Sequence, residues 1–122
     1  MSSPATKEEV ANFLKRVEKA INDPDWKFQF IPRDKNLNSL NKYGLSIKHI
    51  KFSLKRLEVR DYYRGPTKDR SSNFSGDFWE FGKEIIEGVE FYIKLKIKGK
   101  HLLCKCLSFH EAEYKINYPY KE

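Results

Sequence analysis

The sequence predicts an α+β fold, with N-terminal helices packed on one face of a curved, mostly antiparallel β-sheet. Two observations carry this. Apolar residues near the start and again around positions 47–57 recur at helical intervals, whereas from Phe78 onward they alternate with polar ones. Glu87-Gly88 and Gly99-Lys100 then punctuate the second half as turns of an antiparallel meander. A chain of 122 residues is one domain, 1–122, and can bury a core without disulfide or metal support.

The first helix is predicted from Thr6-Lys7-Glu8-Glu9, which has capping-box spacing, followed by Val10, Phe13, Leu14, Val17 and Ile21 on one face until Asp23-Pro24 stops it. Trp26, Phe28 and Phe30 alternate with Lys27, Gln29 and Ile31 in a short strand closed by Pro32. A polar turn leads to one helical turn at positions 37–43, ended by Gly44. Ser46 caps a further helix whose Ile47, Ile50, Leu54 and Leu57 are expected in the core, with Lys48, Lys51 and Lys55 forming a basic stripe. Positions 61–76, rich in Gly, Pro, Ser and charge, read as a long mobile loop.

Three strands are expected next, at 78–85, 89–98 and 102–110. In the middle one Phe91, Ile93, Leu95 and Ile97 share a face, so Tyr92, Lys94 and Lys96 share the other. In the last, simple alternation groups Cys104, Cys106, Ser108 and His110 against Leu103, Leu107 and Phe109. The tail, 111–122, with Tyr114, Tyr118 and Tyr120, is too apolar to float free.

No run of apolar residues is long enough to span a bilayer, and the start lacks the charged and apolar segments of a signal peptide. A cytoplasmic location without membrane association is therefore expected. Cys104 and Cys106, in C-K-C spacing with no second pair, read as small packed residues of a reducing compartment, not as a metal site or a disulfide. The net charge of +7 points to a polyanionic partner. Positions 91–110 hold five lysines and no acid, and positions 35–60 hold seven basic residues against Glu58, a clustering that suits phosphate tracking.

The chain has no P-loop, dinucleotide glycine pattern, zinc-protease helix or nucleophile elbow, and no cofactor is expected. What the predicted sheet face offers is Glu80, Tyr92, Lys94, Lys96 and His110, with Arg64 entering from the loop. Cutting RNA without a metal requires a base for the 2′-hydroxyl, an acid for the departing 5′-oxygen and cations around the phosphate. His, Glu and Tyr can fill the first two roles, and Lys and Arg the third. Each also has a structural reading: His110 as a hydrogen-bonded strand-end histidine, Glu80 as a cross-strand partner of a lysine, and Trp79 and Phe81 as core. In the functional reading Trp79 or Phe81 stacks a base, and Lys96 and Tyr118 join them in binding RNA. His49 and His101 receive no role.

Three segments, Asp61-Tyr62-Tyr63-Arg64-Gly65-Pro66, Phe78-Trp79-Glu80-Phe81-Gly82-Lys83 with Tyr92-Ile93-Lys94, and Leu107-Ser108-Phe109-His110-Glu111-Ala112-Glu113 with Asn117-Tyr118-Pro119-Tyr120, together resemble the MqsR-family toxins of type II toxin-antitoxin systems. The resemblance covers positions 34–121 and rests on the ordered set of motifs. It implies a RelE-like fold, a ribosome-independent mRNA interferase and a cognate antitoxin. The best-known members use a Lys after the Asp-aromatic pair, a Gln after the Trp, a Tyr on the following strand and a Lys after the Ser-Phe pair. By motif these positions fall on Arg64, Glu80, Tyr92 and His110, of which only Tyr92 keeps the residue type. The shorter members lack the Asn-Tyr-Pro-Tyr tail.

The expected function is thus a metal-independent endoribonuclease acting on single-stranded mRNA, with His110, Glu80, Tyr92, Lys94 and Arg64 as its catalytic group. The alternative is a non-catalytic nucleic-acid-binding or antitoxin-binding module that uses the same basic face.

Overall fold

The computed structural model describes residues 4–25, 27–68, 76–99 and 102–121. Trp26 and His101 lie outside them, as do positions 69–75 of the expected loop. The fold is α+β. Helices α1 (Lys7–Asn22), α2 (Asp34–Tyr43) and α3 (Ile47–Lys55) accompany a five-stranded sheet of β1 (Phe28–Phe30), β2 (Tyr62–Lys68), β3 (Asp77–Ile86), β4 (Val89–Lys98) and β5 (Leu103–Glu111). The strand order is β1-β5-β4-β3-β2. All neighbours are antiparallel except β1, which runs parallel to β5. No helix among the described residues is long and apolar enough to cross a membrane.

α1 begins where the sequence places it. Thr6 Oγ1 accepts from the Glu9 amide and Glu9 returns the bond to the Thr6 amide, which satisfies two N-terminal donors locally. Its buried face, Val10, Phe13, Val17 and Ala20, lies between the sheet and α3. Phe13 stacks on Trp79 at 4.4 Å and on Phe81 at 6.0 Å. Ser46 opens α3, and His49 Nδ1 accepts from the Ser46 amide at 3.0 Å, so His49 serves as a cap. Ile50, Leu54 and Leu57 are buried as expected, but Ile47 is exposed. In the basic stripe, Lys51 lies over Phe28 and Lys55 donates to Asn22. That stripe therefore sits on the helical side of the sheet, away from the outer face.

Three expectations need correction. Positions 62–68 are not loop but β2, an edge strand paired to β3 through two register shifts. Gly65 permits this, because its φ of 115° is unfavourable for other residues and an added Cβ would lie 2.5 Å from Phe78 O. α2 is a full ten-residue helix, longer than the one turn expected. Finally, β5 carries a bulge. Lys94 pairs with Ser108 but Leu95 with Cys106, so Leu107 is the extra residue and the alternation changes phase there. Cys104 and Cys106 consequently face the helices with Phe109, while Ser108 and His110 face outward.

Both cysteines are buried and free. Burial pushes the Cys104 thiol up to about 12 and raises that of Cys106 as well, so they are inert packing residues.

α2 owes its length to the edge of β5. β1 covers that edge only as far as Cys106. Beyond it Ile31 N–H donates to Cys106 O, and the buried Asn36 takes over, donating Nδ2–H to Leu107 O at 3.0 Å and accepting from Phe109 N–H at 3.0 Å. Its Nδ2 also donates to Ile31 O, and Ser39 Oγ accepts from the Glu111 amide. One side-chain amide thus replaces a missing strand residue beside the bulge. Asn36→Ala should leave Leu107 O and Phe109 N–H unpaired and lower stability by about 3 kcal/mol, measurable by denaturant unfolding. A change within about 0.5 kcal/mol, the scale of a neutral surface substitution, would show that the edge needs no such partner.

Candidate active site

Pairing across the sheet sets two rows of side chains on its outer face. Arg64, Glu80, Lys94 and Ser108 form the first, in successive pairing from β2 to β5. Gly82, Tyr92 and His110 form the second, one step along the strands. Directly paired residues bring their Cβ atoms to about 5 Å. All five expected catalytic residues therefore come together although they span four strands.

Glu80 is the hub. Its side chain is only 5% exposed, and each of its oxygens has a partner. Arg64 Nε donates to Oε2 at 2.6 Å, and the Tyr92 hydroxyl donates to Oε1 in a short hydrogen bond. A buried carboxylate is tolerated because a cation and a hydroxyl both satisfy it. With both oxygens engaged, Glu80 orients its neighbours and is poorly placed to take a proton from a ligand. Burial, reinforced by the same bond, raises the Tyr92 phenol above its ordinary value, so Tyr92 is neutral and is not a base. Arg64 is held more firmly protonated by Glu80 and lies 4.9 Å over the Tyr63 ring.

His110 packs against Tyr92 with ring centroids 5.5 Å apart. Its Nδ1 is 2.9 Å from the Glu111 carbonyl oxygen, which can only accept, so Nδ1 carries a proton. In the neutral imidazole Nε2 is then the nitrogen with the free lone pair. His110 lines a cavity of about 550 Å³ with Tyr63, Arg64, Tyr92, Lys94 and Ser108. The Lys94 ammonium lies 4.0 Å from the centroid of Phe78, which carries it along the outer face.

The expected RNA-binding residues fare differently. Trp79 and Phe81 belong to the opposite face, packed under Phe13, and cannot stack a base there. The outward aromatic of β3 is Phe78, which shares parity with Glu80. Lys96 is buried at the far end of the face, against Phe78 and Gly76. Tyr118 is half-buried, donates to Glu90 at 2.5 Å and lines a second cavity. Sequence reasoning missed Tyr63, brought in by β2, and Arg33 and Lys35, brought to the first cavity by the start of α2. Tyr63 lies inside the first motif without a role of its own, and no local pattern marks Arg33 or Lys35. Among the described residues no three His, Cys, Asp or Glu side chains converge as metal ligands.

Scans of the chain against family models, curated proteins and solved structures return no match.

The raised Tyr92 ionisation makes a prediction whose sign is fixed. The folded state favours the protonated phenol, so its contribution is fully present below the ordinary tyrosine value near 10 and is lost as pH rises above it. The stability gap between the parent and Tyr92→Phe should be constant from neutral pH to about 9.5 and shrink above 10, followed by urea unfolding. A gap unchanged through about pH 11 would mean that Tyr92 ionises equally in both states.

Proposed function

We propose that the protein is a metal-independent endoribonuclease acting on single-stranded mRNA, the toxin of a type II toxin-antitoxin pair with RelE-like, MqsR-type ancestry. The observation that carries the reading is the outer-face cluster, where a histidine with an available Nε2 shares one cavity with Lys94 and an oriented arginine. The basic composition and the motif resemblance add to it.

In this reading the scissile phosphate lies at Arg64 and Lys94, whose charges offset the negative charge that builds on its oxygens. His110 Nε2 takes the proton of the 2′-hydroxyl as that oxygen attacks phosphorus. The P–O5′ bond breaks, and the departing 5′-oxygen receives a proton from the Lys94 ammonium. The products are a 2′,3′-cyclic phosphate and a 5′-hydroxyl. Glu80 and Tyr92 are positioning residues: Glu80 holds the Arg64 fork toward the cavity, and Tyr92 buttresses the imidazole. A cognate antitoxin would have to block this face or hold it distorted.

Incubation with single-stranded RNA in EDTA should yield those two end groups, and His110→Ala should slow cutting about a hundredfold while RNA affinity stays near parental. Cleavage that stops with chelator or leaves 5′-phosphates would assign the chemistry to a metal-activated water. Binding without cleavage by the folded parent would leave the face to a non-catalytic module.

A further inference from the structure

The C-terminal segment after β5 does not leave the molecule; it lies on the outer face at Ile116 and Tyr118 and ends with Tyr120 packed against the core. Tyr118 donates to Glu90 on β4, and the Tyr120 hydroxyl donates to Ala5 O at 2.5 Å while its ring stacks on Tyr62 at 5.9 Å. Ile116 is buried, and with Tyr118 it occupies the space that a Cβ on Gly82 would take. Glu113 is tied to Lys35 at the start of α2 at 2.7 Å. The segment is therefore anchored at both ends and in the middle.

It also walls two adjacent cavities. The first, about 550 Å³, contains His110 and Ser108 and is bounded by positions 112–116. The second, about 870 Å³, contains Phe78, Thr67 and Glu80 and is bounded by positions 117–119. Tyr63, Arg64 and Lys94 line both. Each volume suits a ligand of nucleotide size. The shared boundary carries the two cations, and an aromatic group stands on either side of it.

We propose that residues 112–119 form one wall of a two-nucleotide groove, which binds a single-stranded dinucleotide step with its linking phosphate at the Arg64–Lys94 boundary. The proposal rests on the ribonuclease reading for its polarity. The nucleotide that supplies the 2′-hydroxyl must lie with His110, so the nucleotide 5′ of the cut takes the first cavity and the one 3′ of it takes the second. The strand is expected to be unpaired, because each base has to enter a separate cavity lined by the sheet and the tail. Within this wall Lys115 borders only the first cavity and Asn117 only the second. Both are exposed, so replacing them spares the core.

Uncleavable 2′-deoxy oligonucleotides of one to four residues, titrated by competition at physiological salt, test the groove without requiring catalysis. Affinity should rise sharply from one nucleotide to two and then change by no more than about threefold, the residue of long-range phosphate attraction. Equal increments through four nucleotides, or duplex binding as tight as single strand, would overturn the groove. The polarity is read by mapping cut sites in a random RNA pool. Lys115→Ala should alter preference at the nucleotide 5′ of the cut and Asn117→Ala at the one 3′ of it; the reverse, or no change in either, refutes the assignment. A parent that binds dinucleotides with this plateau but cuts no RNA would keep the groove and sink the ribonuclease reading. Cutting without the plateau would do the opposite.

Discussion

The outer face depends on how β5 changes phase at Leu107. A strand that alternated without interruption would place His110 on the same side as Cys104 and Cys106, which pack into the core with Leu95 and Ile97. The imidazole would then be buried among apolar side chains, or the cysteines would face solvent. One inserted residue resolves the conflict, and Asn36 holds it in place by pairing with the carbonyl of Leu107 itself and with the amide of Phe109. The cost of a bulge is unpaired backbone, and a buried amide with one donor group and one acceptor is the side chain that fits such a gap. Because Asn36 sits on α2, the same contact fixes the helix start that brings Arg33 and Lys35 to the first cavity.

The second constraint is the buried carboxylate of Glu80. An arginine or a tyrosine alone on a sheet face would sample many rotamers, whereas here each is bonded to one oxygen of the same carboxylate. Arg64 remains largely exposed and keeps its other guanidinium nitrogens for a ligand, while Tyr92 is fixed beside His110. Replacing Arg64 would leave a buried charge short of its cation, a larger loss than that of an exposed ion pair such as Lys42 with Glu111. The tail adds rigidity from above, since Gly82 leaves room for Ile116 and Tyr118 to lie directly on the sheet.

Much of this was legible in the sequence where the determining physics is local. The capping box of α1, the two-residue turn at Glu87-Gly88 and the alternation of β4 are written in neighbouring residues, and they place Tyr92 and Lys94 outward. Glu80 and Arg64 are legible as site residues, whereas their pairing depends on the register of β2 with β3. Three features depend on tertiary context. β2 read as loop because its Gly65-Pro66 breakers are tolerated on an edge strand with register shifts. α2 read as a single turn because its asparagines are weak helix formers, and what stabilises it is tertiary, through Asn36 and Ser39 to β5. The β5 bulge inverted the cysteines relative to His110, which no periodicity reveals. The misplaced stacking role of Trp79 and Phe81 is different. The parity of β3 sets both opposite Glu80 and makes Phe78 the outward aromatic.

In the proposed mechanism His110 presents a lone pair at Nε2 to RNA held on the outer face. Nitrogen-15 imidazole spectra of His110, recorded with and without an uncleavable 2′-deoxy oligonucleotide, test it directly. The neutral ring should carry its proton on Nδ1, held by the Glu111 carbonyl, and Nε2 should shift when ligand binds. A neutral ring protonated at Nε2, or an Nε2 resonance that ignores bound oligonucleotide, would contradict it.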